Sequence, residues 1–135
     1  MRTVLVLDDN EDFRQTISAI LSEEDFDVIE AACPDDAYKI LQTEKCDLII
    51  SDIHLPFTLG DDFHLYPYSC EVGVKTIHEL RTVFPDLPVI AISAAGDIEK
   101  LREALKGFSV LSKPTSPSEL LAVVERTLQA SARLQ

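Results

Sequence analysis

Three consecutive aliphatics, Leu48-Ile49-Ile50, followed by Ser51 and the carboxylate of Asp52, constrain this chain more than any other stretch. A continuous apolar run of that length, bounded by polar residues, reads as a strand buried on both faces. It delivers Asp52 to the end of that strand. An ionised carboxylate left unpaired there is costly, so it calls for cations around it or a chemical role. Two other stretches have the same build. Val4-Leu5-Val6-Leu7 runs into Asp8-Asp9, and Val110-Leu111-Ser112 runs into Lys113-Pro114. Three acids and one lysine, carried on separate buried strands, can meet at one edge of a parallel sheet.

Taken in order, residues 3–7 form a fully buried strand, and Asn10 or Asp9 caps the helix that follows. Phe13, Ile17, Ile20 and Leu21 give that helix its apolar stripe to about Glu24. A half-buried strand runs from Phe26 to Ala31. Pro34 suits a first helical position, with Asp35 and Asp36 at the positive end of the dipole and Ala37, Ile40 and Leu41 facing inward. The central strand, 47–51, precedes a long irregular region from Ile53 to about Gly73. Val74, Ile77, Leu80 and Phe84 then restart a helical stripe that Pro85 stops. Pro88 to Ile92 is the fourth strand, ending at Ser93-Ala94-Ala95. Asp97 is expected to cap a helix carrying Ile98, Leu101 and Leu105, closed by Gly107. Phe108 to Leu111 is the fifth strand. Ser116-Pro117-Ser118-Glu119 is a capping box that opens the last helix, whose face is Leu120, Leu121, Val124 and Leu128.

Five strands alternating with five helices predict an α/β fold with a doubly wound parallel sheet covered on both faces. The length, 135 residues, suits one domain over 1–135. Ligands in such sheets sit beyond the carboxyl ends of the strands, where Asp8, Asp9, Asp52, Ser93 and Lys113 all fall. The net charge of −12, from 24 acids and 12 bases, argues against direct nucleic-acid binding. No apolar run approaches the roughly 20 residues that span a bilayer, and the first residues lack a signal-peptide layout, so the expectation is a cytoplasmic protein with no membrane contact. Cys33, Cys46 and Cys70 are widely spaced with no CxxC pair, which favours reduced thiols over a disulfide or zinc framework.

The residue types fit phosphoryl transfer. Crowded carboxylates at Asp8, Asp9 and Asp52 recruit a hard divalent cation, and Mg²⁺ suits a few carboxylates completed by waters and a phosphate. With the cation in place, Asp52 can attack phosphorus and become an aspartyl phosphate. Lys113 and the Ser93 hydroxyl can then meet the transferring phosphoryl oxygens. Lys113–Pro114 is a candidate for the cis form. Taken singly, the acidic pair is often a helix cap, Ser93 a loop hydroxyl and Lys113 a solvated lysine. Their joint placement at the ends of strands 1, 3, 4 and 5 is not explained that way.

These stretches, together with Asp47 to Pro56, Pro88 to Ala94 and Ser112-Lys113-Pro114, resemble the receiver domains of bacterial two-component response regulators. The resemblance implies a flavodoxin-like sheet of order 2-1-3-4-5. It implies that Asp52 accepts a phosphoryl group from a histidine kinase or phosphotransfer protein, and that Asp8, Asp9, Asp52 and the His54 carbonyl hold Mg²⁺. Ser93 would be the switch hydroxyl and Lys113 the phosphate contact. The chain would then be a regulatory domain rather than an enzyme, acting on a downstream protein or output domain, with a homodimer as a further option.

Two features depart from the family pattern. Receivers usually carry Tyr or Phe three residues before the lysine, where this chain has Val110, with Phe108 nearby. Gly60 stands where the family's glycine opens the third helix, yet the helical pattern resumes only at Gly73, an insertion of 73 − 60 = 13 residues, Asp61 to Gly73. It reads as a solvated loop or an extra turn of structure, or, through Phe63, Tyr66 and Tyr68, as a contact surface, while His64, Cys70 and the acids lack a recognised metal spacing. His78, opposite the apolar face of its helix, is expected to be simply solvated. Two rival readings stand beside the receiver. An aspartate-nucleophile phosphatase would place a general acid, usually Asp, at position 54, which is His54 here. A receiver-like interaction module would signal without phosphorylation.

Overall fold

The computed structural model describes residues 2–53 and 71–133. Five parallel strands make one sheet: β1 (Thr3–Leu7), β2 (Asp27–Ala31), β3 (Leu48–Asp52), β4 (Val89–Ala94) and β5 (Ser109–Lys113). Their order is β2-β1-β3-β4-β5, the doubly wound order expected. The helices are α1 (Glu11–Glu23), α2 (Pro34–Thr43), α3 (Glu71–Val83), α4 (Ala95–Ile98) and α5 (Pro117–Arg133). Every residue of β3 is buried, as a central parallel strand requires.

Alternate strand residues feed two cores. Val4, Val6, Ile50 and Ile92 pack with Ile17 and Leu21 of α1 and Leu120 and Val124 of α5. Leu5, Leu7, Ile49 and Ala91 pack on the other face with Ala37 of α2 and Ile77 and Leu80 of α3. The helix starts follow local chemistry. Asn10 Oδ1 accepts from the Phe13 amide at 3.0 Å, and Ser116 Oγ accepts from the Glu119 amide at 3.1 Å. Pro34 occupies the first turn of α2. At the end of α1, Asp25 takes a φ of 65° and the Phe26 amide reaches back to the Leu21 carbonyl at 3.2 Å, seating Phe26 in the core.

Three expectations need correction. The helix expected from Asp97 to Gly107 is one turn only, Ala95–Ile98, with Ala94 at its N-cap and no side-chain cap. Beyond it the backbone bonds mix three- and four-residue spacings, from Leu101 to Asp97 and Ile98 and from Lys106 to Glu103. Of the stripe Ile98, Leu101 and Leu105, only Leu105 is fully buried, so little packing regularises the segment. Second, α3 begins at Glu71, so the last three residues of the inferred insertion are helical; its residues 61–70 lie outside those described. Third, His78 is exposed but not merely solvated. Its Nε2 lies 2.8 Å from the Ala104 carbonyl, and its ring meets Phe108 edge-on at 5.1 Å.

Candidate functional site

The registers bring the singled-out residues to one end of the sheet. Leu7 pairs with Ser51, Asp52 with Ile92, Ser93 with Ser112, and Ala94 with Lys113. Asp8 therefore emerges beside Asp52, with Ser93 one residue past the pairing partner of Asp52. Asp8 and Asp52 are 1% and 2% exposed, and Ser93 is fully enclosed. Asp9 stands at the rim. Oxygens of Asp8, Asp9 and Asp52 all lie within 4.8 Å of one another. His54, expected to lend its carbonyl, lies outside the described residues, as do His64 and Cys70.

Lys113 reaches this cluster from β5. Its Nζ donates to Asp8 Oδ2 at 3.0 Å and stands 3.3 Å from Asp52 Oδ1. The second contact is an ion pair, and among the described residues the buried Asp52 Oδ1 has no hydrogen-bond partner. Among the same residues the buried Ser93 Oγ has none either. Buried polar atoms are nearly always bonded, so these two make this edge of the sheet a candidate place for an incoming group. The Lys113–Pro114 peptide is cis.

Electrostatics agree with that reading. Burial, and then the Asp8 charge, push the Asp52 carboxyl up to about 7. Asp9 is raised for the same two reasons. Burial opposes the charge on Lys113, but Asp52 and Asp8 outweigh it and leave the ammonium above the ordinary lysine value. One lysine among three carboxylates leaves negative charge uncompensated. Hard oxygen donors at this spacing, with an orphaned Asp52 oxygen among them, fit a hard divalent cation such as Mg²⁺.

Two contributors were not apparent from the sequence. The Phe13 ring, read only as part of the α1 stripe, has Lys113 Nζ 4.3 Å from its centroid. Arg14 donates to the Asp8 carbonyl at 2.7 Å and to Glu30 at 2.9 Å, tying α1 to the ends of β1 and β2. Only the position of these residues, one helical turn after the acids, hinted at either. Val110, at the usual aromatic position, pairs with Ala91 within the sheet. Phe108 is clasped from α3, with the Arg81 guanidinium 3.8 Å from its ring centroid. A cavity of about 700 Å³ lies at the opposite end of the strands, among Arg2, Cys46, Asp47 and Phe84, and contains none of these residues.

A doubly wound sheet whose carboxyl edge gathers three aspartates, a serine and a lysine has the build of a receiver domain of two-component systems. The chain belongs to the response regulator receiver domain family, whose model matches residues 4–125. It is 31% identical over 130 residues to a putative NtrX-like response regulator of Rickettsia bellii, covering 95% of this chain and 25% of that protein. It is 32% identical over 135 residues to the probable transcriptional regulator ycf29 of Cyanophora paradoxa, covering 95% and 57%. The crystal structure of the receiver domain of NtrX from Brucella abortus superposes with a TM-score of 0.78 at 30% identity, covering 93% of this chain and 98% of that one. The chain thus spans a quarter to little more than half of these curated relatives. Receiver domains are regulatory units of two-component systems. Among the described residues, no helix is long and apolar enough to cross a membrane.

Proposed function

We propose that this chain, as one receiver domain over 1–135, takes a phosphoryl group on Asp52 from a phosphohistidine of a histidine kinase or phosphotransfer protein in the cytoplasm. An Asp52 carboxylate oxygen forms the new bond to phosphorus as the P–N bond breaks. The donor imidazole keeps the electron pair and regains a proton. Asp8, Asp9 and Asp52, with the His54 carbonyl, are the residues to hold Mg²⁺, which when bound supplies positive charge to the carboxylates and a phosphoryl oxygen. Lys113 offers a second positive contact and the Ser93 hydroxyl a hydrogen bond. Hydrolysis of the acyl phosphate by water returns the carboxylate and inorganic phosphate.

The observation that carries this reading is a pair of buried atoms, Asp52 Oδ1 and Ser93 Oγ, that lack a hydrogen-bond partner among the described residues and stand beside Lys113 Nζ. Most buried polar atoms are bonded, and structural ion pairing alone gives no reason for these two to lack a hydrogen bond. Output is expected through the face formed by α4, β5 and α5, because Ser93 and Lys113 border it and a phosphoryl group draws on both. The partner there is a downstream protein, an output domain or a second copy. A phosphorylation-independent interaction module is the second reading, favoured by Val110 and by the clasped Phe108. Incubation with a small acyl phosphate and Mg²⁺, followed by intact mass, separates the two. The receiver gains one phosphoryl group that Asp52→Asn does not, and an unchanged wild-type mass overturns the proposal.

A further inference from the structure

Among the described residues, the Lys113 ammonium meets Asp8 Oδ2 at 3.0 Å, Asp52 Oδ1 at 3.3 Å and the Phe13 ring centroid at 4.3 Å. We propose that Phe13 is a positioning residue, its ring holding the Lys113 ammonium at the Asp52 carboxylate where phosphoryl oxygens arrive. This rests on the reading of Asp52 as phosphoacceptor.

Packing alone does not call for an aromatic at this position. Ile17 and Ile20, on the same stripe of α1, fill the same core with aliphatic side chains. What distinguishes a phenyl ring is its electron-rich face, which attracts an ammonium without competing for its hydrogen bonds. The ring is also held still. The Phe13 amide is bonded to the Asn10 cap, the next residue, Arg14, is tied to the Asp8 carbonyl and Glu30, and the ring packs against the core that includes Val4 and Ile17. Lysine has a flexible four-carbon stem, and with its side chain 26% exposed it has water to turn towards. When a phosphoryl group occupies Asp52, Lys113 must trade its Asp52 contact for a phosphoryl oxygen. The Asp8 and Phe13 contacts do not depend on that exchange, so they hold the ammonium in place through it. No bond is made or broken by Phe13, which acts through Lys113 alone.

The test uses Phe13→Leu, which keeps an apolar side chain but removes the ring, and Phe13→Tyr, which restores it. Each is made in the wild type and with Lys113→Ala. Phosphate incorporation from acetyl phosphate is timed at saturating Mg²⁺, Mg²⁺ affinity is measured by calorimetry, and folding is checked by circular dichroism. Phe13→Leu is expected to slow incorporation roughly 3- to 30-fold, the range such contacts are worth, with Mg²⁺ affinity within about twofold. Phe13→Tyr returns the rate, and Phe13→Leu adds nothing once Lys113 is alanine. An equal slowing in the Lys113→Ala background, or no slowing at all, overturns the proposal. If the wild type itself takes no phosphate, the phosphoacceptor reading falls, and the proposal falls with it as a statement about transfer. The Lys113 ε-methylene proton shift, upfield under a ring and lost in Phe13→Leu, then reports whether the contact exists.

Discussion

Gly73, in the first turn of α3, lies hard against the backbone of Ile53, the residue that follows Asp52 in the chain. A Cβ at Gly73 would fall 1.8 Å from the Ile53 carbonyl oxygen and 2.5 Å from its Cα. The helix therefore packs backbone to backbone on the strand end that carries the candidate phosphoacceptor.

Gly73→Ala should consequently force α3 off the sheet. Overpacking a rigid backbone contact costs about 2–3 kcal/mol. Denaturant titration would measure it, and a stability within 0.5 kcal/mol of wild type, roughly the noise of neutral surface changes, would contradict the contact.

The metal-free site should make stability depend on pH in a defined direction. The Asp52 carboxyl stands at about 7 in the fold against 3.8 ordinarily, mainly through burial and then through Asp8. Between those values the native state keeps a proton that the unfolded chain has released. Stability from this group is therefore whole at acid pH and falls as pH rises through that window, by up to about 1.4 kcal/mol per unit. Asp9, raised by the same causes, acts in the same direction. Denaturation in chelator at pH 5 and at pH 7.5 should show the loss. Asp52→Asn should flatten it, and Mg²⁺ should restore wild-type stability by about 2.7 kcal/mol at a hundred times its Kd.

Side-chain hydrogen bonds tie the segment after α4 to α3. A carbonyl only accepts, so His78 Nε2 donates to Ala104, while Arg81 Nη2 donates to the Gly107 carbonyl at 3.0 Å. His78→Ala or Arg81→Ala should raise amide exchange across 104–108 about fivefold each, from a net worth of about 1 kcal/mol per bond. Protection of β1 and β3 should not change. Exchange mapping would check both.

Asp25 holds a left-handed φ of 65° where α1 ends. Glycine takes that conformation without a Cβ clash, so Asp25→Gly should stabilise the fold by about 0.5–1 kcal/mol, read as a higher Tm. A lower Tm would mean that the side chain contributes more than its strain.

The strands and the candidate site were legible in the sequence because each rests on a local signal. Buried parallel strands are continuous aliphatic runs, as in Val4 to Leu7 and Leu48 to Ile50, and their carboxyl ends meet at one edge of a doubly wound sheet. Asp8, Asp9, Asp52, Ser93 and Lys113 could therefore be grouped from their positions at strand ends, while the strand order came with the resemblance to receiver domains. The helix starts at Asn10, Pro34 and Ser116 were equally local, each set by one residue's hydrogen bond or fixed φ. What lies between distant stretches had no such signal. The Phe13 ring beside Lys113, His78 on Ala104, Arg81 on Phe108 and Gly73 against Ile53 join residues that no periodicity relates. Tertiary packing also reduced the expected Asp97 helix to a single turn, because a stripe with only Leu105 fully buried cannot sustain a regular one.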